Sequence, residues 1–343
     1  MNQIPLDWEG NRKRILDSIE WARDAAVDIL CLPELCITGY GCEDLFLSEW
    51  LYDSAMESLL EVIPHCDNIT VVIGFPIRHN TRHYNAALVV KDKIPLAVYA
   101  KQNLALDGVH YEPRWFSKWP VGIEETTTLG GVEIPIGDIT IQEHGVHMGF
   151  EICEDAWVAN RPGGQLAALG VDILLNPSAS HFAFNKHRVR RRFVLDGSRA
   201  FSVIYLYANL LGNEAGRAIY DGDAMIANCG QLVASGKRFG FDGAHVVSAV
   251  VDLDAARVNR ARTASFQPEI AEVSNQISVD FSFPTLNEKG DEDEPSAWEE
   301  SPHIKEEEFT RAIALGLFDY MRKSRSRGFV VSLSGGADSA AVA

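Results

Sequence analysis

Short apolar runs alternate with amphipathic helical patterns along most of this chain, and the alternation constrains the fold more than any other feature. Runs of β-forming residues predict strands, whereas apolar residues three or four positions apart predict helices. The predicted strands are 28–32, 71–74, 85–90, 96–99, 146–152, 171–175, 203–210, 224–226, 232–235 and 246–251. The predicted helices are 11–26, 44–63, 165–169, 186–201 and 306–323. Strands with intervening helices, closed by hairpins, indicate a layered α/β domain with mixed sheets.

Charge and residue content limit the classes of partner. The 343 residues suffice for one large domain or two small ones. With 31 basic and 48 acidic side chains the formal charge is −17, which argues against a role in non-specific nucleic-acid or anionic-membrane binding. No apolar stretch approaches the roughly 20 residues of a membrane span, and the polar start lacks a signal-peptide pattern. The six cysteines include no Cys-x-x-Cys pair, so we expect reduced thiols, a cytoplasmic protein and no metal site in this chain.

The last sixteen residues form a pattern that suits phosphate binding. Gly328-Phe329-Val330-Val331 predicts a strand, and Ser334-Gly335-Gly336-Ala337-Asp338-Ser339 predicts a glycine turn that opens a helix. Glycines let a ligand approach the backbone closely, and the first N–H groups of a helix attract anions. The segment lacks the Gly-Lys-Ser/Thr spacing of a Walker A loop. We therefore predict a different kind of phosphate loop at residues 334–339.

An acidic stretch separates this loop from the alternating region. Residues 287–308 contain ten acidic residues and two lysines, together with two prolines. This composition predicts a solvated linker and not a core segment. Helical periodicity resumes over 306–323, and we expect its apolar face to pack on the domain that the phosphate loop opens.

Three residues suited to amide chemistry lie where predicted strands end. Glu34 follows the run 28–32, Lys101 follows the hairpin strand 96–99, and Cys153 follows the run 146–152. Strand ends at one edge of a sheet are where α/β proteins gather functional side chains. A carboxylate in such a place is costly to bury unless it is paired or functional.

The strings around these residues resemble the nitrilase superfamily of carbon–nitrogen hydrolases, whose catalytic set is Glu, Lys and Cys. In finer detail they resemble the glutaminase domains of glutamine-dependent NAD⁺ synthetases. The strings are Asn2-Gln3-Ile4-Pro5-Leu6-Asp7-Trp8, Pro33-Glu34-Leu35 with Thr38-Gly39-Tyr40, Lys101-Gln102, Tyr111-Glu112-Pro113-Arg114-Trp115-Phe116, Cys153-Glu154-Asp155-Ala156-Trp157 and Asn176-Pro177-Ser178-Ala179-Ser180. Residues 334–339 resemble the pyrophosphate loop of the ATP pyrophosphatases, which form the second domain of that family.

The resemblance implies a fold and a division into domains. Residues 1–264 would form a nitrilase-like glutaminase domain, a four-layer α-β-β-α sandwich. Residues 265–304 would form the acidic linker, and residues 305–343 the start of a Rossmann-like ATP-pyrophosphatase domain. The family's first strand and the rest of its second domain have no counterpart here. We therefore expect a chain truncated at both ends, with backbone groups of neighbouring strands left unpaired.

The resemblance also assigns catalytic roles. Cys153 would be the nucleophile and Glu34 the base that accepts its proton. Lys101 would stabilise the oxyanion, with the backbone N–H of Glu154 as a second donor. Glu112 would orient the lysine.

Substrate contacts follow from the same resemblance. Ser180 and Lys186 match residues that hold the α-carboxylate and amine of glutamine, Tyr111 matches a substrate-facing tyrosine, and Glu154 completes the predicted set. Many relatives have arginine where this chain has Lys186, so bidentate carboxylate binding is not available there. Arg188 is a competing candidate for the cation.

The whole protein would then be a ligase. It would use ammonia from glutamine to amidate deamido-NAD⁺ that has been adenylated by ATP and Mg²⁺, while the glutaminase step would need no cofactor. We expect a homo-oligomer. One alternative is a stand-alone amidase, such as an ω-amidase or a carbamoylase, but the linker and phosphate loop argue against it. The other is an inactive scaffold, against which the intact Glu34, Lys101 and Cys153 argue.

Overall fold

The structure, a computed structural model, describes residues 1–214, 216–263, 276–280 and 296–343. Its strands are β1 (Ile29–Cys31), β2 (Thr70–His79), β3 (Arg82–Lys91), β4 (Ile94–Ala100), β5 (Glu124–Leu129), β6 (Val132–Gly137), β7 (Thr140–Glu143), β8 (Val146–Phe150), β9 (Ile173–Ser178), β10 (Ile204–Asn209), β11 (Leu211–Asn213), β12 (Ile219–Asp221), β13 (Met225–Asn228), β14 (Gln231–Ser235) and β15 (Gln276–Val279). Its α-helices are α1 (Trp8–Asp24), α2 (Glu49–Val62), α3 (Glu112–Trp115), α4 (Pro162–Ala168), α5 (Lys186–Phe201), α6 (Leu253–Arg262), α7 (Ile304–Lys323) and α8 (Ala337–Val342). Short 3₁₀ segments cover Tyr40–Leu47, Ile63–His65, Cys153–Ala156 and Ala297–Glu300.

Two large mixed sheets form the centre of the molecule. One has six strands in the order β1-β2-β3-β4-β6-β5, and the other has seven in the order β14-β13-β10-β9-β8-β7-β15. In the first sheet β1 is parallel to β2, and β3 is antiparallel to both β2 and β4. In the second sheet β8, β9 and β10 are parallel. Strands β1 and β4 therefore end at one edge of their sheet, and β8, β9 and β10 end together at an edge of theirs.

The layers follow from the alternation of side chains along the strands. In β2, Val71 and Ile73 pack in the core shared with α1 and α2, whereas Val72 packs against the second sheet. Phe150 and Leu175 of the second sheet belong to the same inter-sheet core. Helices α4 and α5 cover the other face of the second sheet. The predicted four-layer α-β-β-α sandwich is confirmed.

Most predicted elements are confirmed, with differences that have local causes. The helix predicted over 186–201 is α5, and the hairpin predicted around residues 91–93 is β3–β4. The helix predicted over 44–63 is divided, because Ser48 is extended (φ −96°, ψ 129°) between a 3₁₀ segment and α2. Strands β5 to β7 were not predicted, since their threonine- and glutamate-rich segments lack an apolar run.

Two predicted strands were wrong. Residues 246–251 and 328–331 belong to no strand of the described chain, although both are rich in β-forming residues. A strand needs a hydrogen-bonded neighbour. Between 246–251 and the edge strand β1 lies an apolar cavity of about 340 Å³, lined in part by Met1, Leu30 and Val251. Val330 is fully exposed.

Helix α7 packs on the first part of the chain. The predicted packing of its apolar face on a following domain stays a prediction. Ala312 and Leu315 are buried in a cluster with Leu211 and Phe239. The buried Asp319 carboxylate accepts hydrogen bonds from Asn2 Nδ2 at 3.0 Å, Asn213 N at 2.8 Å and Arg322 Nη2 at 2.8 Å. An apolar stripe and one buried carboxylate therefore hold α7 in place.

The remaining expectations about organisation are tested only in part. Most of the predicted linker, at residues 265–275 and 281–295, lies outside the described residues. The boundaries at 264 and 304 stay predictions. Over the ranges that the structure describes, no helix combines the length and the apolar character required to traverse a bilayer.

Candidate active site

The strand-end residues Glu34 and Lys101 meet, and Glu112 joins them from the start of α3. Lys101 Nζ lies 2.6 Å from Glu34 Oε1 and 2.8 Å from Glu112 Oε1. All three side chains are fully buried. Charges so deep in a protein persist only when they are paired and hydrogen-bonded, and here one ammonium serves two carboxylates.

The backbone positions these groups closely. Lys101 follows β4 directly, and its N–H donates to the carbonyl of Asn85 in β3. The loop that carries Glu34 packs on Gly74 of β2, where a Cβ atom would lie only 2.3 Å from the carbonyl oxygen of Pro33. Asn85 Nδ2 donates to Glu34 Oε1 at 2.6 Å. Sequence reasoning missed Asn85, which no local pattern distinguishes from other strand residues.

The two carboxyl groups differ in their surroundings and therefore in their pKa. Burial raises the pKa of Glu34, although Lys101 opposes the shift. Burial also disfavours the charge of Glu112, but the Lys101 ammonium outweighs it and lowers that pKa. Glu112 accepts further hydrogen bonds from Tyr40 Oη at 2.9 Å and from the Ala105 N–H at 2.9 Å. Glu34 Oε2, by contrast, has no hydrogen-bond partner among the residues that the structure describes. Glu34 is the carboxyl group suited to take up a proton.

Cys153 lies at the first position of the 3₁₀ segment after β8, in an uncommon conformation. Its φ is +45°, in the left-handed region. Its N–H donates to Asn176 Oδ1 at 3.3 Å, from the end of β9. Burial and then the Glu34 carboxylate raise the pKa of the Cys153 thiol, and Lys101 counteracts them. The resting sulfur is therefore a neutral thiol that needs a base.

Asp155 links the loop that carries Cys153 to the loop that follows Lys101. Its Oδ2 accepts from the Ile152 N–H at 2.9 Å, and its Oδ1 accepts from the Asn103 N–H at 2.7 Å. Burial raises the pKa of Asp155 to about 7. The two strand ends, one from each sheet, are thus held together by a single side chain.

The predicted substrate contacts Ser180 and Lys186, a hydroxyl and an ammonium, lie near the same site. Ser180 is buried at 2% exposure, and its Oγ has no hydrogen-bond partner in the described part of the chain. Lys186 Nζ lies 5.4 Å from the ring centroid of Trp157; burial lowers the pKa of Lys186, and the nearby Cys153 opposes that shift. Arg188 is exposed and lines another cavity with Asp223 and Glu300. Lys186 is therefore better placed than Arg188 to meet a substrate.

The other predicted contacts are less enclosed. Glu154 is half-buried, and burial raises its pKa. Its backbone N–H, at the start of the 3₁₀ segment, has no acceptor in the described residues. The ring of Tyr111 is 44% exposed and lies 5.8 Å from the Arg217 guanidinium. A direct substrate contact for Tyr111 stays a prediction.

The predicted phosphate loop is open to solvent. Gly335 has a φ of +82°, and a Cβ atom there would meet nothing within 4 Å. Ser334 Oγ lies 3.2 Å from Ser339 Oγ, and α8 begins at Ala337. Such a turn fits a phosphate group. No cluster of three acidic, histidine or cysteine side chains that could hold a metal ion lies in the described ranges.

Comparison with known proteins agrees with this geometry. A sequence profile described as carbon-nitrogen hydrolase matches residues 1–262. The glutamine-dependent NAD(+) synthetase of Saccharomyces cerevisiae is 34% identical over all of this chain and 50% of its own length. The human protein of that name is 33% identical over all of this chain and 50% of its own length. The chain thus spans about half the length of these relatives.

A solved structure gives the same result. The crystal structure of a glutamine-dependent NAD(+) synthetase from Cytophaga hutchinsonii shares 43% identity at a TM-score of 0.78, over 98% of this chain and 48% of that one. With the profile match over three quarters of its residues and a buried Glu–Lys–Cys site between its sheets, this chain belongs to the carbon–nitrogen hydrolase family.

Proposed function

We propose that this chain is a glutamine amidohydrolase that supplies ammonia for NAD⁺ synthesis. The observation that carries the proposal is the buried Glu34–Lys101–Glu112 cluster beside the Cys153 thiol. The similarity to glutamine-dependent NAD(+) synthetases, which extends over the whole chain, supports glutamine as the substrate.

The first chemical step forms a thioester. Glu34 Oε2, which is free to accept, takes the proton from Cys153 as the sulfur attacks the side-chain amide carbon of glutamine. Two N–H groups of Lys101 are engaged by Glu34 and Glu112, and the third is left for the oxyanion. The unpaired N–H of Glu154 is the second oxyanion donor.

The second step returns the enzyme to its resting state. Glu34 passes its proton to the leaving nitrogen as the carbon–nitrogen bond breaks, and ammonia is released. Glu34 then takes a proton from water, which attacks the thioester, and the Cys153 sulfur leaves and is reprotonated. Glutamine and water thus become glutamate and ammonia, and no cofactor takes part.

Recognition of the amino-acid end of glutamine falls to Lys186 and Ser180. The Lys186 ammonium forms no ion pair with a carboxylate in the described part of the chain, so it is available to the substrate α-carboxylate. The orphaned Ser180 hydroxyl offers a donor and an acceptor in a buried place.

The synthesis of NAD⁺ itself would need more residues than this chain contributes. We propose that ammonia amidates deamido-NAD⁺ in a cytoplasmic homo-oligomer, with ATP and Mg²⁺ activating the carboxylate. Ser334 to Ser339 would hold a phosphate of ATP. The length and names of the relatives support the NAD⁺-forming step of this proposal.

The test is ammonia release from glutamine by a matched pair of cysteine variants. Cys153→Ala should abolish release, whereas Cys229→Ala, at a half-buried cysteine outside the site, should retain it. Asparagine and simple amides serve as competing substrates. Loss of activity in both variants, or full activity in a folded Cys153→Ala protein, would contradict the proposed nucleophile.

The synthetase proposal has its own test. In a protein of the relatives' length, Cys153→Ala should still make NAD⁺ from free ammonia, because only the ammonia-generating step needs the thiol. Equal loss of the glutamine- and ammonia-dependent activities in a folded variant would overturn the two-site arrangement.

A further inference from the structure

Two histidines lie between Lys186, the proposed substrate-binding cation, and the carboxylate of Glu112. His110 Nδ1 lies 3.0 Å from Tyr40 Oη, and His110 Nε2 lies 2.8 Å from His181 Nδ1. Lys186 Nζ lies 3.1 Å from His181 Nδ1 and 3.4 Å from its Nε2. The catalytic mechanism uses neither histidine.

Glu112 fixes the direction of each hydrogen bond in the series that runs from Glu112 to Lys186. Burial lowers the pKa of His110 and His181 to about 4, so both are neutral at pH 7. The ionised Glu112 can only accept, so the Tyr40 hydroxyl donates to it and accepts from His110 Nδ1. His110 Nε2 must then accept from His181 Nδ1. Only His181 Nε2, at 3.4 Å, remains to accept from Lys186 Nζ; the nearer Nδ1, at 3.1 Å, carries a hydrogen and accepts no bond from the ammonium.

We infer that His110 and His181 are positioning residues that orient Lys186, so that the preference for amides bearing a free α-carboxylate depends on them. The inference rests on the proposed glutaminase function. It deepens that function by naming the residues that hold Lys186 in place for the substrate carboxylate.

The surroundings of Lys186 show why such a support is needed. A lysine side chain is long and flexible, and its ammonium lacks the fixed planar fork of arginine. Here one N–H is directed to His181, and the Trp157 face lies 5.4 Å from the charge. With these two contacts the ammonium is held on one side, and its remaining N–H groups are left for a carboxylate.

The experiment uses two variants of one residue and three substrates. His181→Leu removes both hydrogen-bonding atoms at a similar volume, whereas His181→Gln keeps one donor and one acceptor. Glutamine and glutaramate both carry the carboxylate, and glutaramate lacks the amine. Butyramide lacks both groups. Ammonia release is measured for each, with thermal melting as a check on folding.

His181→Leu should raise the KM of glutamine and glutaramate about tenfold, with kcat within about threefold of the parent, since the lost contact acts on the carboxylate. Its kcat/KM for butyramide should be unchanged, and His181→Gln should restore most of the KM. His110→Leu should show the same pattern in weaker form, because it removes the acceptor that orients His181.

Other outcomes separate the possible failures. Equal loss on all three substrates would show a general structural role, and an unchanged KM for glutamine in folded His181→Leu would show that the pair does not act on Lys186; either result overturns the inference alone. A parent chain that hydrolyses butyramide as efficiently as glutamine would overturn the proposed function and the inference together.

Discussion

At the residue scale, the site depends on an uneven sharing of one ammonium. Glu112 accepts from Lys101, Tyr40 and Ala105, whereas Glu34 keeps one oxygen without a partner. The sequence pattern predicts the reacting groups, because each follows a strand. It does not predict Asn85, which donates to Glu34, because a polar side chain buried by distant parts of the chain leaves no local signal.

The raised pKa of Glu34 predicts the acid limb of the pH profile. Glu34 must be ionised to accept the thiol proton, so activity should be lost as pH falls through its folded pKa. The limb of kcat/KM for glutamine should therefore lie above about 4.3, the usual pKa of a glutamate. Neither His110 nor His181 can produce it, since their pKa values are about 4.

The control is a second buried glutamate. Burial raises the pKa of Glu214 to about 7, and Glu214 caps the Gly41 N–H. Glu214→Gln should leave the limb where it is. A limb at the ordinary glutamate position, or one that moves in Glu214→Gln, would show that Glu34 is not the titrating base.

At the element scale, the ends of β1, β4, β8 and β9 bring the chemistry to one place between two sheets. Periodicity predicts such strands because their side chains alternate or form continuous apolar runs. It fails for residues 246–251, whose composition suits a strand but which lie across a cavity from β1. Pairing depends on a neighbour, and composition alone does not supply one.

Gly74 tests how closely β2 must approach the Glu34 loop. In Gly74→Ala the new Cβ would lie 2.3 Å from Pro33 O and 2.6 Å from Leu35 N, so the loop must shift. We expect about 1–3 kcal/mol less stability to urea unfolding, and a lower kcat because Glu34 moves. Gly164→Ala in α4 is the control. Its nearest neighbour would be Phe201 at 3.9 Å, so it should be neutral or stabilising by up to about 1 kcal/mol. Equal effects from the two substitutions would contradict the close approach.

At the scale of the whole molecule, α7 ties the last described part of the chain to its first residues. Asn2, Asn213 and Lys323 all surround the Asp319 carboxylate. Sequence periodicity predicts this helix but not the surface it covers. An apolar stripe indicates that one face is buried, but it does not indicate which residues bury it.

Asp319→Ala should loosen this attachment. It leaves Lys323 and the Asn213 N–H without their buried partner, at a cost of about 3 kcal/mol in urea unfolding. Burial disfavours the charge of Asp319, but Lys323 outweighs it and lowers the pKa. The stabilisation is therefore present above the usual aspartate pKa, about 3.9, and is lost as pH falls through the lowered value. Glu306→Ala, at an exposed position of α7, should change stability little. A similar loss in both variants would show that Asp319 is not the anchor.

The phosphate loop should bind no measurable ATP in this chain. Residues 334–338 are exposed, α8 has six residues, and so short a helix is marginal in water. Adenine, ribose and Mg²⁺ contacts are needed as well. Calorimetry with ATP and Mg²⁺ measures this directly. Micromolar binding that Gly336→Asp abolishes would show a self-contained site.

The left-handed backbone of Cys153 implies that a substitution which removes the thiol can make the protein more stable. Non-glycine residues at such a φ carry a penalty of about 1–2 kcal/mol, which glycine avoids. Cys153→Gly and Cys153→Ala both lose the thiol, yet the glycine variant should be about 1 kcal/mol more resistant to urea than the alanine variant. If the two unfold at the same concentration, the conformation costs the protein nothing. If they differ as expected, selection for stability alone would favour glycine here, and turnover by the proposed nucleophile is the reason to keep a side chain at this position.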